Sequence, residues 1–192
     1  MGHWDGMYAA VGEKPNTLVV TVLEKYVKER DACLDLGAGN LRDSKYLSSQ
    51  GFKRVVAVDS NENVTRFQNS GVEVHISKLE AFPVEVNAYD LIFSCSTFFF
   101  LSHFRISNVL ENIRRGLKSG GICAFNVLGE EDDWVVRHGG VSAFSKQSLQ
   151  QICASFNVIE IGEKKYLGHY IPENSTRVTK YWHTRTIILQ KP

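Results

Sequence analysis

Cys33-Leu34-Asp35-Leu36-Gly37-Ala38-Gly39-Asn40-Leu41-Arg42 is the stretch whose reading decides the fold. A strand-like run carries an acidic residue near its end and breaks into a Gly-x-Gly turn, where the missing Cβ atoms let another molecule approach the backbone closely. An ordinary tight turn uses glycine in the same way, so the flanking residues must decide. Val55-Val56-Ala57-Val58 runs into Asp59, 22 positions after Gly37, close to the roughly 20 residues at which a carboxylate after the next strand reaches ribose hydroxyls. Parallel neighbours bring their C-terminal ends together, so the turn and Asp59 face one crevice; Asp59 also suits a helix N-cap. A dinucleotide fingerprint needs G-x-G-x-x-G, and position 42 is arginine. Asp35, two residues before the first glycine, suits instead a ligand with an ammonium group, held directly or through water.

Outward from this stretch the pattern alternates. β-branched runs at Ala32 to Leu36, Arg54 to Val58, Val72 to Ile76, Asp90 to Cys95 and Gly121 to Val127 are separated by segments of helical period. That is the signature of βαβ units and a mostly parallel sheet covered on both faces. Asn16 or Thr17 opens a helix with Leu18, Val19, Val22, Leu23, Tyr26 and Val27 as its apolar stripe. A second segment passes through Lys45-Tyr46-Leu47 to a cap at Gly51, and Ser60 or Asn61 starts a short helix ending near Gly71. Ser102 to Lys118 is a further helix, with Ile106, Val109, Leu110, Ile113 and Leu117 on one face and Gly120-Gly121 as its stop. Ser145 caps a last helix to Phe156. Two long β-like runs, Asn157 to Leu167 and Lys180 to Gln190, then follow without a helical pattern between them, which predicts a hairpin with an antiparallel strand at or near a sheet edge.

Composition bounds the function. The chain has 192 residues, 43% apolar and 22% charged, and is expected to form one domain over residues 1–192: an N-terminal lid and helix over 1–30 and a core over 31–192. Lys and Arg total 22 against 21 Asp and Glu, a net charge of +1, which steers neither toward nucleic acid nor toward an anionic membrane. No apolar run approaches the roughly 20 residues of a membrane span. The N-terminus lacks the basic flank and apolar stretch of a signal peptide, and Cys33, Cys95, Cys123 and Cys153 are dispersed without a CxxC. Free thiols, a cytoplasmic setting and no metal centre are expected.

Asp35-x-Gly37-x-Gly39 after a first strand, Asp59 ending the second, Asp90-Leu91-Ile92-Phe93-Ser94 as the fourth, and Leu117-Lys118-Ser119-Gly120-Gly121 before the fifth form an ordered series. It resembles the motif series of class I S-adenosylmethionine-dependent methyltransferases across almost the whole chain. Gly37-Ala38-Gly39-Asn40-Leu41-Arg42-Asp43-Ser44, with Tyr8-x-x-x-Gly12-Glu13-Lys14-Pro15-Asn16, is also similar to the small methyltransferases of the tellurite-resistance type. The resemblance implies a Rossmann-like, doubly wound α/β sheet of seven strands in the order 3-2-1-4-5-7-6, with strand 7 antiparallel. It implies S-adenosylmethionine as methyl donor and S-adenosylhomocysteine as product. Asp35, Gly37, Ala38 and Gly39 would hold the methionine part, Asp59 the ribose, and Ser60 would lie beside the adenine. Ser94 would lie beneath the methionine portion and the methyl group. Lys78 and Leu79 fall where the family contacts the adenine; the family commonly has an acid at the position of Lys78, and a lysine accepts no hydrogen bond from an exocyclic amine. Either the Leu79 backbone or Glu80 takes that role, or the alignment is shifted by one or two positions. Leu41 stands where the family has a third glycine.

Aromatic faces stabilise a sulfonium by cation–π contact, which makes Tyr8, Phe98, Phe99, Phe100 and Trp134 candidates for the substrate wall, although a run of phenylalanines equally suits a core. His103, His138, His169 and His183 are candidate bases, and Glu130-Glu131-Asp132-Asp133 reads as a solvated loop. With no room for a separate recognition domain, a small-molecule acceptor, and a monomer or homodimer, are expected. The alternatives are an NAD(P)-binding oxidoreductase, opposed by Arg42, and a non-catalytic S-adenosylmethionine-binding module, to which Lys78 would point.

Overall fold

In the computed structural model, residues 12–68, 71–170 and 177–192 are described. Seven strands, β1 (Ala32–Leu36), β2 (Arg54–Asp59), β3 (Glu73–Ile76), β4 (Tyr89–Ser94), β5 (Leu117–Leu128), β6 (Asn157–Tyr170) and β7 (Val178–Gln190), form one sheet in the order β3-β2-β1-β4-β5-β7-β6. The first five are parallel, and β7 runs antiparallel to both β5 and β6. This is the topology implied by the motif series. Among the described residues four α-helices cover it: α1 (Thr17–Lys25), α2 (Arg42–Ser49), α3 (His103–Gly116) and α4 (Lys146–Ile152).

Alternation along each strand divides the core in two. Leu34, Leu36, Val56, Val58, Ile92, Cys123 and Phe125 face α3 and α4, meeting Ile106, Val109, Leu110, Ile113 and Leu149. Cys33, Val55, Ala57, Leu91, Phe93 and Ala124 face α1 and α2, meeting Val19, Val22, Leu23 and Leu47. Each such fully buried aliphatic side chain contributes on the order of 1.5–3 kcal/mol, which fixes the helices against the sheet despite their modest lengths. Asn16, Ser102 and Ser145 cap α1, α3 and α4 as read from the sequence, their side chains accepting from the N–H groups of Leu18, Arg105 and Ser148.

Several boundaries differ from expectation. The short helix after β2 is a 3-10 turn, Glu62–Phe67 capped by Asn61; residues 69–70 lie outside the described residues. Helix α3 stops at Gly116 and the chain enters β5 at once, because the carbonyls of Arg115 and Gly116 accept from the N–H groups of Asn87 and Ala88 at 2.9 Å each. Helix α4 ends at Ile152 and not at Phe156. Among the described residues no helix is long and apolar enough to cross a membrane.

The strand order reverses between β1 and β4. In an open α/β sheet that switch point opens a crevice beyond the carboxyl ends of the strands, and the functional site is expected there.

Candidate functional site

The turn at the end of β1 is built by hydrogen bonds to its neighbour β2. The N–H groups of Gly37 and Ala38 both donate to the Val58 carbonyl, at 2.7 and 3.1 Å. Gly37 and Gly39 have φ of +79° and +55°, left-handed values that favour glycine. A Cβ at Gly37 would also lie 2.2 Å from Thr97 Oγ1, so glycine is required there twice over. Asp59 closes the turn: Oδ2 accepts from Gly39 N–H at 2.8 Å, and Oδ1 accepts from Asn61 N–H at 2.9 Å.

A cavity of about 470 Å³ lies over this turn, within the ~300–1,000 Å³ of small-ligand sites. Gly37, Ala38, Gly39, Asp59, Ser60, Lys78 and Leu79 line it, which brings seven of the sequence-derived positions to one place. Asp35 and Ser94 do not line it. Asp35 alternates with Leu34 and Leu36 and so points beneath α2, where it is 2% exposed and accepts from Ser44 Oγ at 2.6 Å. Burial, followed by the nearby carboxylates of Asp43 and Asp59, pushes its pKa up to about 7. Asp35 is thus held beneath the turn by Ser44 and does not reach the cavity surface. Ser94 is buried, its hydroxyl donating to the Leu36 carbonyl at 2.8 Å, which ties the ends of β1 and β4 together.

The aromatic candidates separate. Phe98 is buried in the core with its ring centroid 4.8 Å from Phe125, and Phe99 is buried beside it, whereas Phe100 lines the cavity. Trp134 lies one ring further out, 6.4 Å from Phe100 and over the Lys180 ammonium at 4.7 Å, and is not a cavity residue. Tyr8 lies outside the described residues. No histidine is among the described residues lining the cavity. His103 stacks on Phe144, and buried His183 pairs with Glu163 and accepts from Glu131 N–H. Within Glu130–Asp133, Glu130 and Glu131 are exposed, as a solvated loop requires, but the next residue is not. Asp132 is fully buried, pairing with Lys180 and accepting from His183 N–H at 3.0 Å, because the β6–β7 hairpin extends past the end of β5 and packs down on it.

Several lining residues were not singled out from the sequence. Cys95, Ser96 and Thr97 follow β4, and the switch-point rule applied to the end of that strand would have found them. Arg42 pairs with Asp43 at 3.1 Å, Asp43 accepts from Asn16 N–H at 2.7 Å, and Arg105 pairs with Glu80 at 3.4 Å. Those groups meet only through the packing of α1, α2 and α3. The Cys95 thiol is pushed up to about 12 by burial and stays protonated at neutral pH. No group of three His, Cys, Asp or Glu side chains among the described residues is arranged to hold a metal ion.

Three features discriminate between ligands. The N–H groups of Gly37, Ala38 and Gly39 are all consumed inside the protein, Arg42 N–H is capped by Asn40 Oδ1 at 3.2 Å, and Asp43 places a carboxylate in the first turn of α2. A pyrophosphate needs N–H donors and a positive helix end; Gly37, Ala38 and Gly39 offer it no donor, and the Asp43 carboxylate offsets the positive end of α2. Asp59 brings a carboxylate, which has about four acceptor positions, to the cavity wall beside the turn.

This fold, with this motif series, is the Rossmann-like fold of class I S-adenosylmethionine-dependent methyltransferases. The family model for the tellurite resistance protein TehB matches residues 17–185, and the chain belongs to that family. A probable S-adenosyl-L-methionine-dependent methyltransferase TehB from Haemophilus influenzae is 28% identical over 151 residues, 76% of this chain and 52% of the relative. The chain thus spans about half the length of the curated relatives it matches. The crystal structure of TehB from Haemophilus influenzae superposes with a TM-score of 0.73 at 24% identity, covering 91% of this chain and 61% of that one. The methyltransferase solved in complex with the Trm112 activator from Haloferax volcanii gives 0.76 at 18% identity, covering 99% of this chain and 96% of that one.

Proposed function

We propose that the cavity binds S-adenosylmethionine and that the chain transfers its methyl group to a small-molecule nucleophile by in-line displacement, leaving S-adenosylhomocysteine. The observation that carries this reading is the turn whose N–H donors are already spent and whose surroundings are carboxylates, Asp35 below and Asp43 and Asp59 at the rim. It suits an ammonium and a ribose, and its glycine N–H groups offer a pyrophosphate no donor. Gly37, Ala38 and Gly39 lie against the methionine part, Asp59 takes the ribose hydroxyls, and Ser60, Lys78 and Leu79 flank the adenine. Ser94 acts through Leu36 by holding the end of β1 in place.

When bound, the sulfonium supplies an activated methyl group with a good leaving group. The protein's own task is then orientation and exclusion of water. With no histidine among the described residues of the lining, and with Asp43 and Glu80 engaged by Arg42 and Arg105, the cavity favours acceptors that need no general base. Thiolates, amines and chalcogen oxyanions fit that requirement better than alcohols. The lid expected over residues 1–30 lies partly outside the described residues; within them, Asn16 lines the cavity and the Gly12 carbonyl accepts from Asn40 Nδ2 at 3.3 Å, which supports a covering role. One domain over 1–192, a monomer or homodimer, and a cytoplasmic setting suited to four free cysteines complete the proposal.

The test is incubation with S-adenosylmethionine labelled in the methyl group and a panel of small thiols, amines, phenols, selenite and tellurite. Labelled product from a thiol, an amine or an oxyanion supports the reading. Binding of the cofactor without transfer to any of them overturns the catalytic part and favours the module suggested by Lys78; binding of NADH in place of S-adenosylmethionine overturns the whole.

A further inference from the structure

Ser96 lies on the cavity wall with φ of +58°, one of three non-glycine residues with positive φ among the described residues. Asparagine and aspartate tolerate this left-handed region because their side chains bond locally to the backbone; serine has less such compensation. Ser96 is held from outside. Its N–H donates to Asn126 Oδ1 at 2.6 Å. Asn126 belongs to β5, one residue beyond Phe125, which pairs with Ser94 at the end of β4. A side-chain amide therefore takes the backbone N–H just where the β4–β5 ladder stops.

The consequence falls on the next residue. Thr97 Oγ1 donates to the Cys95 carbonyl at 3.1 Å, closing the strap, and its side chain occupies the volume that a Cβ on Gly37 would fill. Asn126, Ser96, Thr97 and Gly37 thus form one chain of contacts from β5 to the glycine turn of β1. Left-handed backbone at a non-glycine residue persists only where its surroundings over-determine it, and such residues gather at ligand clamps.

We propose that Asn126, which does not itself line the cavity, is a positioning residue: by holding Ser96 left-handed it seats Thr97 against Gly37 and so sets the cofactor-binding geometry of the cleft between β1 and β4. The inference rests on the S-adenosylmethionine reading for its ligand, and on the backbone alone for its geometry.

The test is a double-mutant cycle of N126A and S96G, read by calorimetry with S-adenosylhomocysteine, which binds without turnover. N126A is expected to weaken binding about tenfold in the Ser96 protein, yet less than about threefold in the S96G background, because glycine adopts the left-handed conformation without an anchor. N126D, which keeps the acceptor oxygen, is expected to bind more tightly than N126A. A merely structural role would lower thermal stability with equal losses of affinity in both backgrounds. Equal losses, or N126A binding as tightly as the unaltered chain, overturn the proposal. Amide hydrogen exchange without ligand gives an independent reading: exchange at Ser96 and Thr97 accelerates in N126A, and unchanged exchange refutes the anchor. Failure of the unaltered chain to bind S-adenosylhomocysteine would count against the cofactor reading and leave the exchange test to decide the anchor.

Discussion

Replacing Asp59 with alanine tests the site through two quantities that must change together. Asp59 is 7% exposed and accepts from two backbone N–H groups, those of Gly39 at 2.8 Å and Asn61 at 2.9 Å. A hydrogen bond to a charged group is worth a net ~1.5–3 kcal/mol, and water entering from the cavity side would recover part of it. The expected destabilisation is therefore about 2–3 kcal/mol. At roughly 2–4 °C per kcal/mol for a domain of this size, the thermal midpoint should fall by roughly 4–12 °C. The glycine turn loses its fastening and the ribose its acceptor, so affinity for S-adenosylhomocysteine should fall at least about 100-fold, some 2.7 kcal/mol. Asp59→Asn retains one acceptor oxygen and should lose less stability, while the affinity loss remains large because a carboxamide cannot serve both the turn and the ribose diol. Circular dichroism melting and calorimetric titration read the two effects separately. A midpoint within about 1 °C of the unaltered chain, or an unchanged dissociation constant, would refute the reasoning.

Two further substitutions probe the buried charges. Asp35 has its pKa raised to about 7, so between pH ~4 and ~7 the unfolded chain has lost a proton that the folded chain keeps, and stability falls as pH rises through that window. Asp35→Asn removes the titration, and its stability advantage should grow by up to about 4 kcal/mol between pH 4 and 8; a difference that stays constant with pH would contradict the buried-carboxyl assignment. Lys180 is 2% exposed, paired with Asp132 and set 3.7 Å from the Trp182 ring. Lys180→Met should cost roughly 3–5 kcal/mol by leaving Asp132 buried without its cation, and Lys180→Met with Asp132→Asn should recover part of it; equal melting points for single and double variants would argue against the pair.

The sheet was legible because its signals are local and repeated. Ala32 to Leu36 forms β1 with the predicted bounds, and the hairpin followed from two β-like runs with no helical period between them. The glycine turn and Asp59 were readable for the same reason: one strand end and one spacing define them. Other features depend on orientation or on distant packing. Asp35 sits beside the glycines in sequence but alternates away from the cavity with Leu34 and Leu36 about it. Phe98, Phe99 and Phe100 are identical residues in one 3-10 turn, and only its docking on β5 decides that the first two are buried and the third reaches the cavity. Asp132 looked like part of an acidic solvated loop because its partner Lys180 is 48 residues away. Ser96 carries no sequence mark of its left-handed backbone.

Calorimetric titration of the unaltered chain with S-adenosylhomocysteine, S-adenosylmethionine and NADH tests the central claim most directly. Saturable one-site binding of both sulfur nucleosides and none of NADH is expected, since Gly37, Gly39 and Ala38 between them have no free N–H donor for a pyrophosphate. Binding of NADH with no response to either sulfur nucleoside would contradict the claim.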